Sequence, residues 1–488
     1  MKIQDILRDI PVLSTDITGQ EEIRGVAYSS KDVQPGVLFA ALKGEKKDGM
    51  DFVAEAEAKG ASVVLSEWPK PQGVKAAWIR VADAREAMAL AAAAFYGHPS
   101  MKLKIIGVTG TKGKTTTTYI LEEIIKAAGF IPAVIGTVEY RGPGFRMKAS
   151  RTTPEAPDLQ KMLGEMVAAD ATHCLMEVSS HSLMQKRVCG VSFDLAVFTN
   201  LSGEHMDYHG SMENYFEAKK KLFFLNHKKS ASVVNFDDPW GKKLISELPM
   251  RTITFGLEPE AIVRADKHLL TDQGMDIQVT YPGGRMEISS WLVGRHNLFN
   301  ILAAIASALA LGIPIEAIVR GVAILRGVPG RFEKIANNRG LHIIVDYAHT
   351  DNALLNLLET ARDLKPRRLL LVFGAGGSRD KSKRERMGDV AARLADWSIL
   401  TSDNPRAEVP RQIIVDIEKG FAKNAVTNYE VIEDRTEAIR KALSICKKGD
   451  TLLVAGKGHE DYQIFKDRTI HFSDHEVIAS ILEEMEGH

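Results

Sequence analysis

Short apolar runs recur along the whole chain, and most of them end in a polar or glycine-rich loop. In the first part, these runs are residues 36–42, 61–66 and 76–82. An alanine-rich stretch follows over residues 85–96. The runs predict short β-strands and the stretch predicts a helix. Because Gly97 and Pro99 interrupt the helical pattern, residues 97–100 are interpreted as a linker.

The middle part of the chain alternates strand and helix patterns. Residues 102–110 form an apolar run that leads directly into a glycine turn, and a helical pattern follows over residues 114–128. Further strand-then-turn units begin at Cys174, Leu195 and Ala231. This alternation predicts parallel βαβ units. A helical run over residues 297–311 precedes a Gly-Val-Pro-Gly segment at 327–330, which is interpreted as a second linker and a hinge.

The last part repeats the same pattern, which decides the predicted architecture. Its apolar strands begin at Leu341, Arg367, Trp397 and Thr451. In open parallel sheets, ligands bind beyond the carboxyl ends of the strands, so the middle and last parts are both expected to line a shared cleft. The predicted fold is α/β in three domains: a small mixed α/β domain over residues 1–100, a central P-loop ATPase-like parallel-sheet domain over 101–327, and a C-terminal Rossmann-like domain over 328–488.

Composition and charge narrow the class of protein. At 488 residues the chain is too long for one core, and 45% hydrophobic with 26% charged residues is ordinary globular usage. Lys plus Arg equals Asp plus Glu at 63 each, so no overall field attracts nucleic acid or an anionic membrane. Three cysteines without CxxC spacing disfavour a disulfide framework or a cysteine zinc site and suit a reducing compartment.

Neither a targeting segment nor a membrane span is predicted. Asp5 and Asp9 interrupt the region where a signal peptide needs an unbroken apolar core. The most apolar stretch, residues 301–313, stops at Pro314 and is shorter than the ~20 residues that span a bilayer. The expected protein is therefore soluble and cytoplasmic, without a nucleic-acid partner and without membrane insertion.

The strongest local signal is the segment GVTGTKGKTTTT, which begins at Gly107. Gly110 and Gly113 let the backbone curl so that its N–H groups point at phosphate oxygens. Lys114 adds a positive charge for the terminal phosphates, and Thr115 offers a hydroxyl to Mg²⁺. The helix that follows directs its positive end at the same anion. ATP or GTP binding is therefore predicted.

Further motifs follow in a fixed order over nearly the whole chain. They are TTPE at Thr152, MEVSSHSLMQKRV at Met176, TNLSGEHMDYHGSMENYFEAKKKLF at Thr199, GRHNLFN at Gly294, PGRFE at Pro329, DYAHT at Asp346, DNPR at Asp403 and AGKGHE at Ala455. Together with the phosphate loop they resemble the Mur ligase family, the ATP-dependent amide-forming enzymes of peptidoglycan precursor synthesis. The resemblance is greatest to members that add meso-2,6-diaminopimelate to the D-glutamate side-chain carboxylate of UDP-N-acetylmuramoyl-L-alanyl-D-glutamate.

The resemblance implies a reaction with its cofactors and partners. ATP phosphorylates the D-glutamate carboxylate, the incoming amine attacks the acyl phosphate, and phosphate leaves as the amide forms. The implied cofactors are ATP and Mg²⁺, and the partners are small molecules: ATP, the UDP-N-acetylmuramoyl dipeptide and meso-diaminopimelate. Such an enzyme serves cell-wall synthesis, and through it cell shape and division, and is expected to act as a monomer.

Catalysis is expected to depend on cations, because a carboxylate and a triphosphate repel each other. Lys114 is assigned to the terminal phosphates, and Thr115 is the first candidate ligand of the metal. Glu177 ends a predicted strand, where a buried carboxylate would be costly unless it faced a cation. His205 matches the second metal-associated histidine of the family. The resemblance also implies that Lys219 is carbamylated, which turns an amine into an acid that can ligate Mg²⁺.

The resemblance also assigns the nucleotide and UDP-sugar contacts. The nucleotide set is Gly110, Thr111, Lys112, Gly113, Lys114, Thr115, Thr116, Asn297, Arg331 and Asp346. The set for the UDP-sugar peptide is Ser30, Thr152, Thr153, Ser179, Gln185 and Arg187. Asp346 suits ribose hydroxyls, and the planar fork of Arg187 suits a carboxylate or phosphate. Asn297 is also a good helix N-cap, and the two roles can coexist.

The amine pocket is expected in the loops of the last domain. Its residues are Arg379, Asp403, Asn404, Pro405, Arg406, Gly456 and Glu460. Pro405 stiffens the turn. Arg406 suits the distal carboxylate of diaminopimelate, and Asp403, Asn404 or Glu460 could accept from its ammonium, while Arg379 supplies a second cation. Lysine lacks that carboxylate and would leave an arginine unpaired. Without the other motifs, DNPR indicates only an ordinary turn.

Three alternatives stay open at this point. A lysine-adding homologue shares the chemistry but lacks the arginine of DNPR. A folylpolyglutamate synthase-like ligase shares the phosphate loop but has neither TTPE nor DNPR, and pteridine substrates would support its ATP turnover. A nucleotide-switched binding protein would show no amine-dependent release of ADP.

Overall fold

The computed structural model describes residues 1–44, 47–248 and 251–486, and the described chain divides into two compact units. The first comprises Met1–Asp266, Val279–Met286 and Phe299–Val322, and the second comprises Lys267–Gln278, Glu287–Leu298 and Ala323–His488. Most of the predicted N-terminal and central domains therefore share one unit. The domain boundaries predicted at residues 100 and 327 stay predictions.

The first hundred residues fold around a sheet of five described strands. The helices are α1 (Ile3–Ile6), α2 (Val53–Ala58) and α3 (Ala84–Phe95), with 3-10 turns at Leu7–Asp9, Ser30–Asp32, Gly49–Phe52 and Pro99–Lys102. The strands are β1 (Val12–Thr15), β2 (Gly25–Ala27), β3 (Val37–Ala41), β4 (Val63–Ser66) and β5 (Ala77–Val81). Their order is β1-β5-β4-β3-β2, parallel except for β1. The predicted linker is partly helical, because Pro99 fits a first helical turn without losing a hydrogen bond.

The central part forms a sheet of eleven strands within the described ranges. The helices are α4 (Lys114–Ala127), α5 (Ala156–Ala168), α6 (Ser180–Met184), α7 (Met206–His209), α8 (Met212–Phe224), α9 (Pro239–Glu247), α10 (Arg295–Ala310) and α11 (Ile315–Ile324). The strands are β6 (Lys104–Thr109), β7 (Pro132–Ile135), β8 (Glu139–Gly142), β9 (Phe145–Lys148), β10 (His173–Glu177), β11 (Phe193–Phe198), β12 (Asn226–Asn235), β13 (Thr252–Gly256), β14 (Val263–Leu270), β15 (Met275–Tyr281) and β16 (Gly284–Ser290). The order is β16-β15-β14-β13-β12-β11-β6-β10-β7-β8-β9.

The parallel centre of this sheet positions two predicted site segments. Strand β6 pairs in parallel with β10 and with β11, as the sequence predicts. Glu177, the last residue of β10, lies opposite Val108 of β6. The phosphate loop after β6 and the segment after β10 therefore leave the same edge of the sheet. Buried side chains of both strands, among them Ile105 and Met176, belong to one apolar cluster.

The C-terminal part forms a second, mainly parallel sheet. Its helices are α12 (Asp351–Asp363), α13 (Ser382–Leu394), α14 (Pro410–Lys423), α15 (Arg435–Ile445) and α16 (Asp474–Glu486). Its strands are β17 (Glu333–Ile335), β18 (His342–Asp346), β19 (Leu369–Phe373), β20 (Trp397–Leu400), β21 (Tyr429–Val431), β22 (Thr451–Ala455), β23 (Tyr462–Ile464) and β24 (Thr469–His471). The order is β17-β18-β22-β19-β20-β21, and β23 pairs with β24. Within the described ranges, no helix combines the length and the apolar character needed to cross a membrane.

A buried ion pair ties two helix starts of this part to its sheet. Arg435 donates from Nε and Nη2 to the two carboxylate oxygens of Asp474, both at 2.7 Å. The Nη2 atom also donates to the carbonyl oxygen of Ala455 at 3.0 Å, at the end of β22. Both side chains are fully buried. The first residues of α15 and α16 are thus fixed beside the loop that follows β22.

Breaking this pair should destabilise the protein strongly. Replacing Arg435 by methionine leaves the Asp474 carboxylate buried without its partner, which we expect to lower the free energy of unfolding by about 3–5 kcal/mol. Urea unfolding measures this change. The exposed pair of Arg440 and Glu484 provides the control, since Arg440→Met should have only a small effect. Equal shifts of both variants would contradict the expectation.

Candidate active site

The phosphate loop lies between β6 and α4 in the predicted conformation. Lys114 folds back over it and donates from Nζ to the carbonyl oxygens of Gly110 and Thr111, both at 2.9 Å. Gly113, with φ of 86°, is the N-cap residue of α4 and has no side chain to accept from the amides of the first turn. A Cβ at this position would lie 2.3 Å from Asn300 Oδ1. The left-handed backbone and the close approach both require glycine.

Glu177 is a buried carboxylate held by neutral donors. Its Oε2 accepts from the hydroxyls of Thr115 (3.0 Å) and Thr137 (2.9 Å), and its Oε1 accepts from the Thr137 amide at 2.9 Å. Its exposed fraction is 1%, and these three hydrogen bonds all come from uncharged donors. Thr137 was not among the predicted site residues. It follows the end of β7, and ligand-binding residues of parallel sheets commonly lie after the carboxyl ends of strands.

Lys219 is a buried amine beside the phosphate loop. It lies on α8, is 1% exposed, and donates from Nζ to the carbonyl oxygen of Gly110 at 2.7 Å. The same atom lies 4.6 Å from the centre of the Tyr215 ring. Burial, and next the charge of Lys114, lower the pKa of Lys219 well below its ordinary value, although Glu204 opposes the shift. The neutral amine is therefore favoured.

Three histidines gather next to this amine. The ring of His205 lies 4.8 Å from that of His181, and the ring of His209 lies 5.6 Å from that of His181. A hydrogen bond of 3.0 Å joins His209 Nε2 and Ser180 Oγ. Burial, and next the neighbouring His205, lower the pKa of His181 and His209 to about 4, so both rings are neutral at neutral pH. His181 and His209 were not among the predicted site residues, although both stand in the quoted motifs.

The candidate metal ligands do not form a cage made of protein atoms alone. In the described parts of the chain, no group of three or more His, Cys, Asp or Glu side chains could hold a metal ion. Thr115 and Glu177 are in contact, whereas Lys219 and His205 lie near the ring of Tyr215. The oxygens of Thr115 and Glu177 fit Mg²⁺, which prefers oxygen ligands and keeps several of its waters. The burial of the Glu177 carboxylate among uncharged donors supports the same fit.

Five of the predicted UDP-sugar residues are brought together around Glu177. Thr153 Oγ1 donates to the Glu177 carbonyl oxygen at 2.8 Å and accepts from the Ser179 amide at 3.2 Å. Arg187 donates to the Thr153 carbonyl oxygen at 3.0 Å and to Gln185 Oε1. The hydroxyls of Thr152 and Thr137 lie 3.2 Å apart. Four of these residues are therefore linked to the backbone carbonyl of Glu177, and Thr152 is linked through Thr137 to its carboxylate.

Ser30 is not part of this network. Its buried hydroxyl donates to Glu55 Oε2 at 3.0 Å, within the N-terminal sheet region. The nearby Tyr28 donates to Asp158 Oδ2 on α5 at 2.8 Å, and both line a cavity of about 220 Å³ together with Arg151. Tyr28 thus joins the N-terminal part to the central part more directly than the predicted serine does.

The second unit carries the remaining nucleotide candidates. Asp346 ends β18 and accepts from the amides of Phe332 (2.7 Å) and Ala348 (2.8 Å). Burial raises its pKa, although the Arg331 charge opposes the shift. Asn297 donates from Nδ2 to the Val293 carbonyl oxygen at 2.8 Å. Its N-cap interpretation is wrong, because α10 begins two residues earlier.

The predicted amine pocket is built around Asp403, which follows the end of β20 by three residues. The carboxylate is 6% exposed, and its Oδ1 accepts from the Asn404 amide at 2.6 Å. Its buried Oδ2 has no hydrogen-bond partner among the described residues. A Cβ at Gly456 would lie 2.5 Å from this oxygen, so glycine keeps the space beside it open. Burial raises the pKa of Asp403, but the charges of Lys457 and Arg435 outweigh it, and the pKa is lowered.

The rest of the pocket is contributed by neighbouring loops. Asn404 Nδ2 donates to Glu460 Oε2 at 2.8 Å. Arg406 has a left-handed backbone with φ of 54° and donates from Nη1 to the Gly377 carbonyl oxygen at 3.0 Å. Pro405 packs closely against the loop that contains Gly377. A Cβ at Gly377 would lie 1.8 Å from the carbonyl oxygen of Pro405. Arg379, on the same loop, is exposed.

The sequence of this chain matches models of known protein families. The sequence matches the Mur ligase family catalytic domain over residues 22–96, the Mur ligase middle domain over residues 108–308, and the Mur ligase glutamate ligase domain over residues 330–458. The chain belongs to the Mur ligase family, and the predicted family and α/β fold are confirmed. It is an ATP-dependent, amide-forming ligase.

Similar proteins with a more specific name span the full length. UDP-N-acetylmuramoyl-L-alanyl-D-glutamate–2,6-diaminopimelate ligase of Solibacter usitatus is 44% identical over 95% of this chain and 94% of its own. The protein of the same name from Geobacter metallireducens is 42% identical over 99% of both chains. A solved structure of a ligase of this name has a TM-score of 0.70 and 32% identity, over 100% of this chain and 99% of that one.

Proposed function

We propose that this enzyme adds meso-2,6-diaminopimelate to the D-glutamate side-chain carboxylate of UDP-N-acetylmuramoyl-L-alanyl-D-glutamate, through an acyl phosphate, in peptidoglycan precursor synthesis. The observation that carries the proposal is the DNPR segment, which combines the guanidinium of Arg406 with a buried oxygen of Asp403 that has no hydrogen-bond partner among the described residues. Diaminopimelate has a distal ammonium and a distal carboxylate that suit these two groups. The names of the full-length relatives support the same substrate.

The residues around the phosphate loop would prepare the acyl phosphate. Lys114 would leave its loop carbonyls for the terminal phosphates of ATP, and α4 would direct its uncapped amides at them. Thr115 and Glu177 would hold Mg²⁺, which supplies charge neutralisation for the phosphates and the attacking carboxylate. Thr153, Ser179 and the residues bonded to them would orient the UDP-sugar peptide, so that its carboxylate meets the γ-phosphate in line.

Carbamylation of Lys219 is part of the proposal. The reaction joins the neutral amine to carbon dioxide and releases one proton, so it requires an uncharged Nζ. The burial of Lys219 favours that form, because a low-dielectric environment disfavours the charged ammonium. The product would be an anion next to the candidate metal ligands. We also propose the domain limits 1–100, 101–327 and 328–488, and a monomer that works in the cytoplasm.

Amine-dependent ADP release tests the substrate. The full-length enzyme is incubated with ATP, Mg²⁺ and the UDP-sugar dipeptide, and ADP is measured with meso-diaminopimelate, with L-lysine and with no amine. We expect release with diaminopimelate and a product heavier by one diaminopimelate residue. Turnover with lysine alone would favour the lysine-adding alternative, and release that no amine stimulates would favour a nucleotide-switched binding protein.

Replacing Arg406 by alanine should lower the preference of the enzyme for diaminopimelate over L-lysine. The wild type should prefer diaminopimelate by about 10²–10⁴-fold, because lysine leaves the Arg406 charge without its partner. The variant should lose mainly the diaminopimelate reaction, through a higher KM, without becoming a good lysine ligase. kcat/KM is measured for both amines, with Arg411→Ala on the exposed start of α14 as the control. If the ratio of kcat/KM for the two amines does not change, the DNPR segment is a structural turn that does not select the substrate.

A further inference from the structure

Lys457 is a buried cation inside the proposed amine pocket, and the sequence analysis did not single it out. It follows β22, and its side chain is fully buried. Its Nζ donates to Asn404 Oδ1 at 3.2 Å and lies 3.4 Å from Glu460 Oε2. The rings of Tyr462 and Phe472 enclose the ammonium, with centres at 5.7 and 6.0 Å.

The ammonium completes a closed triangle with two pocket side chains. Asn404 Nδ2 donates to the same Glu460 oxygen that Lys457 approaches, at 2.8 Å. Asn404 Oδ1 also accepts from the Ile464 amide at 2.9 Å, which fixes which end of the side-chain amide faces Glu460. Glu460 Oε2 is therefore held on two sides. Its Oε1 has the Tyr347 hydroxyl at 3.5 Å, a long contact that a stronger donor can replace, and the Tyr462 hydroxyl is a further hydrogen-bond partner of the Glu460 carboxylate.

The charge of Lys457 helps to balance the carboxylates of the pocket. Asp403 and Glu460 are two anions, Lys457 and Arg406 are two cations, and the nearby Arg435 is already paired with Asp474. Lys383 donates its Nζ to the His349 carbonyl oxygen at 2.9 Å. Among the described residues, Lys457 is the cation that contacts both Asn404 and Glu460. Without it the pocket would be more negative and would favour any simple cation.

We propose that Lys457 is a positioning residue that aims Glu460 at the substrate ammonium and sets the pocket's selectivity for an amine whose far end carries both charges. This inference rests on the proposed function. A ligand end with an ammonium and a carboxylate brings no net charge, which suits a pocket whose carboxylates are already balanced. Lysine brings an uncompensated positive charge, which the Lys457 ammonium disfavours.

The test compares Lys457→Met, which removes the charge at similar length, with Lys457→Arg, which keeps it. The exposed Lys448→Met serves as the matched control. For the methionine variant we expect the KM for diaminopimelate to rise about tenfold to hundredfold, with a smaller change in kcat, because a charge-assisted contact that orients Glu460 is lost. The ratio of kcat/KM for diaminopimelate over L-lysine should fall at least about tenfold. Arginine should restore part of this ratio.

The ratio separates positioning from mere structural support. A structural role would lower kcat/KM for both amines alike, and an unchanged ratio in a folded methionine variant overturns the inference. If thermal melting shows that Lys457→Met does not fold, the same constants are measured on Lys457→Gln, with the same criterion. A wild type that rejects diaminopimelate would overturn the proposed function, whereas selectivity that survives the loss of Lys457 overturns only the present inference.

Discussion

Replacing Lys114 by alanine should abolish ligation, lowering kcat by at least about 10³-fold. Phosphoryl transfer needs little covalent help from a protein, so its rate depends on how well the charges of the phosphates are neutralised and aligned. Lys114 lies at the start of α4 with its ammonium on the carbonyls of the phosphate loop, within reach of an anion bound there.

The measurement is ATP-dependent product formation at saturating ATP and Mg²⁺. Lys126→Ala is a suitable control, because Lys126 is at the other end of α4 and pairs with the acidic residues Glu122 and Glu123. The control should retain near wild-type turnover. If the Lys114 variant did so as well, the assignment of this loop to ATP would be wrong.

Lys219→Ala should remove most of the activity, by about 10²–10³-fold, because it deletes the carbamate that supports the phosphates and metal. Short carboxylic acids should restore part of the rate by occupying the vacated space. The lowered pKa of Lys219 increases the fraction of the neutral amine that reacts with carbon dioxide. Acidification protonates the amine and should reverse the modification.

A labelled carbon reports the modification directly. Carbon-13 NMR of the enzyme in labelled bicarbonate should show a carbamate signal that is absent from Lys219→Ala. Lys221→Ala is the matched control, since Lys221 is exposed two residues further along α8 and should leave both signal and activity in place. An ordinary ammonium at position 219 in the active enzyme would disprove the carbamate.

Many of the parallel strands were predictable from the sequence, because they are buried on both faces, although β7 and β13, which also pair in parallel, were missed. The apolar runs that begin at Cys174, Leu195 and Thr451 correspond to β10, β11 and β22, and each predicted start lies within two residues of the observed one. Buried strands read as continuous apolar runs, so the pattern and the structure coincide. The helix after the phosphate loop was equally clear, since glycines stand at both of its ends.

The antiparallel strands were missed because only one face of each is buried. In β15, Met275, Ile277 and Val279 alternate with exposed or half-buried residues, and β16 continues the same alternation. Such strands show apolar residues at every second position, whereas the predicted strands are continuous apolar runs. The Pro-Gly-Gly turn at residues 282–284 was the available signal for a hairpin.

Motifs located the site, but the partners of its charges depend on contacts between distant segments. Glu177 was predicted from its place at a strand end, whereas its partner Thr137 lies 40 residues earlier. Lys457 meets Asn404 across 53 residues of chain. No local pattern fixes such pairs, because the packing of separate loops brings them together. The predicted contact of Ser30 with a ligand likewise depends on a hydroxyl that the structure pairs with Glu55.

Asp403 Oδ2, which has no hydrogen-bond partner in the described part of the chain, limits which inhibitors can bind in this pocket. Such a buried acceptor must receive a hydrogen bond from the ligand, or remain desolvated at a cost of about 1–3 kcal/mol. An analogue with a hydroxyl in place of the distal ammonium still supplies that hydrogen. One with a methyl or ether group there does not, however well it fills the space. The hydrogen-bonding capacity of the analogue, ahead of its shape, therefore decides whether it can compete with the substrate.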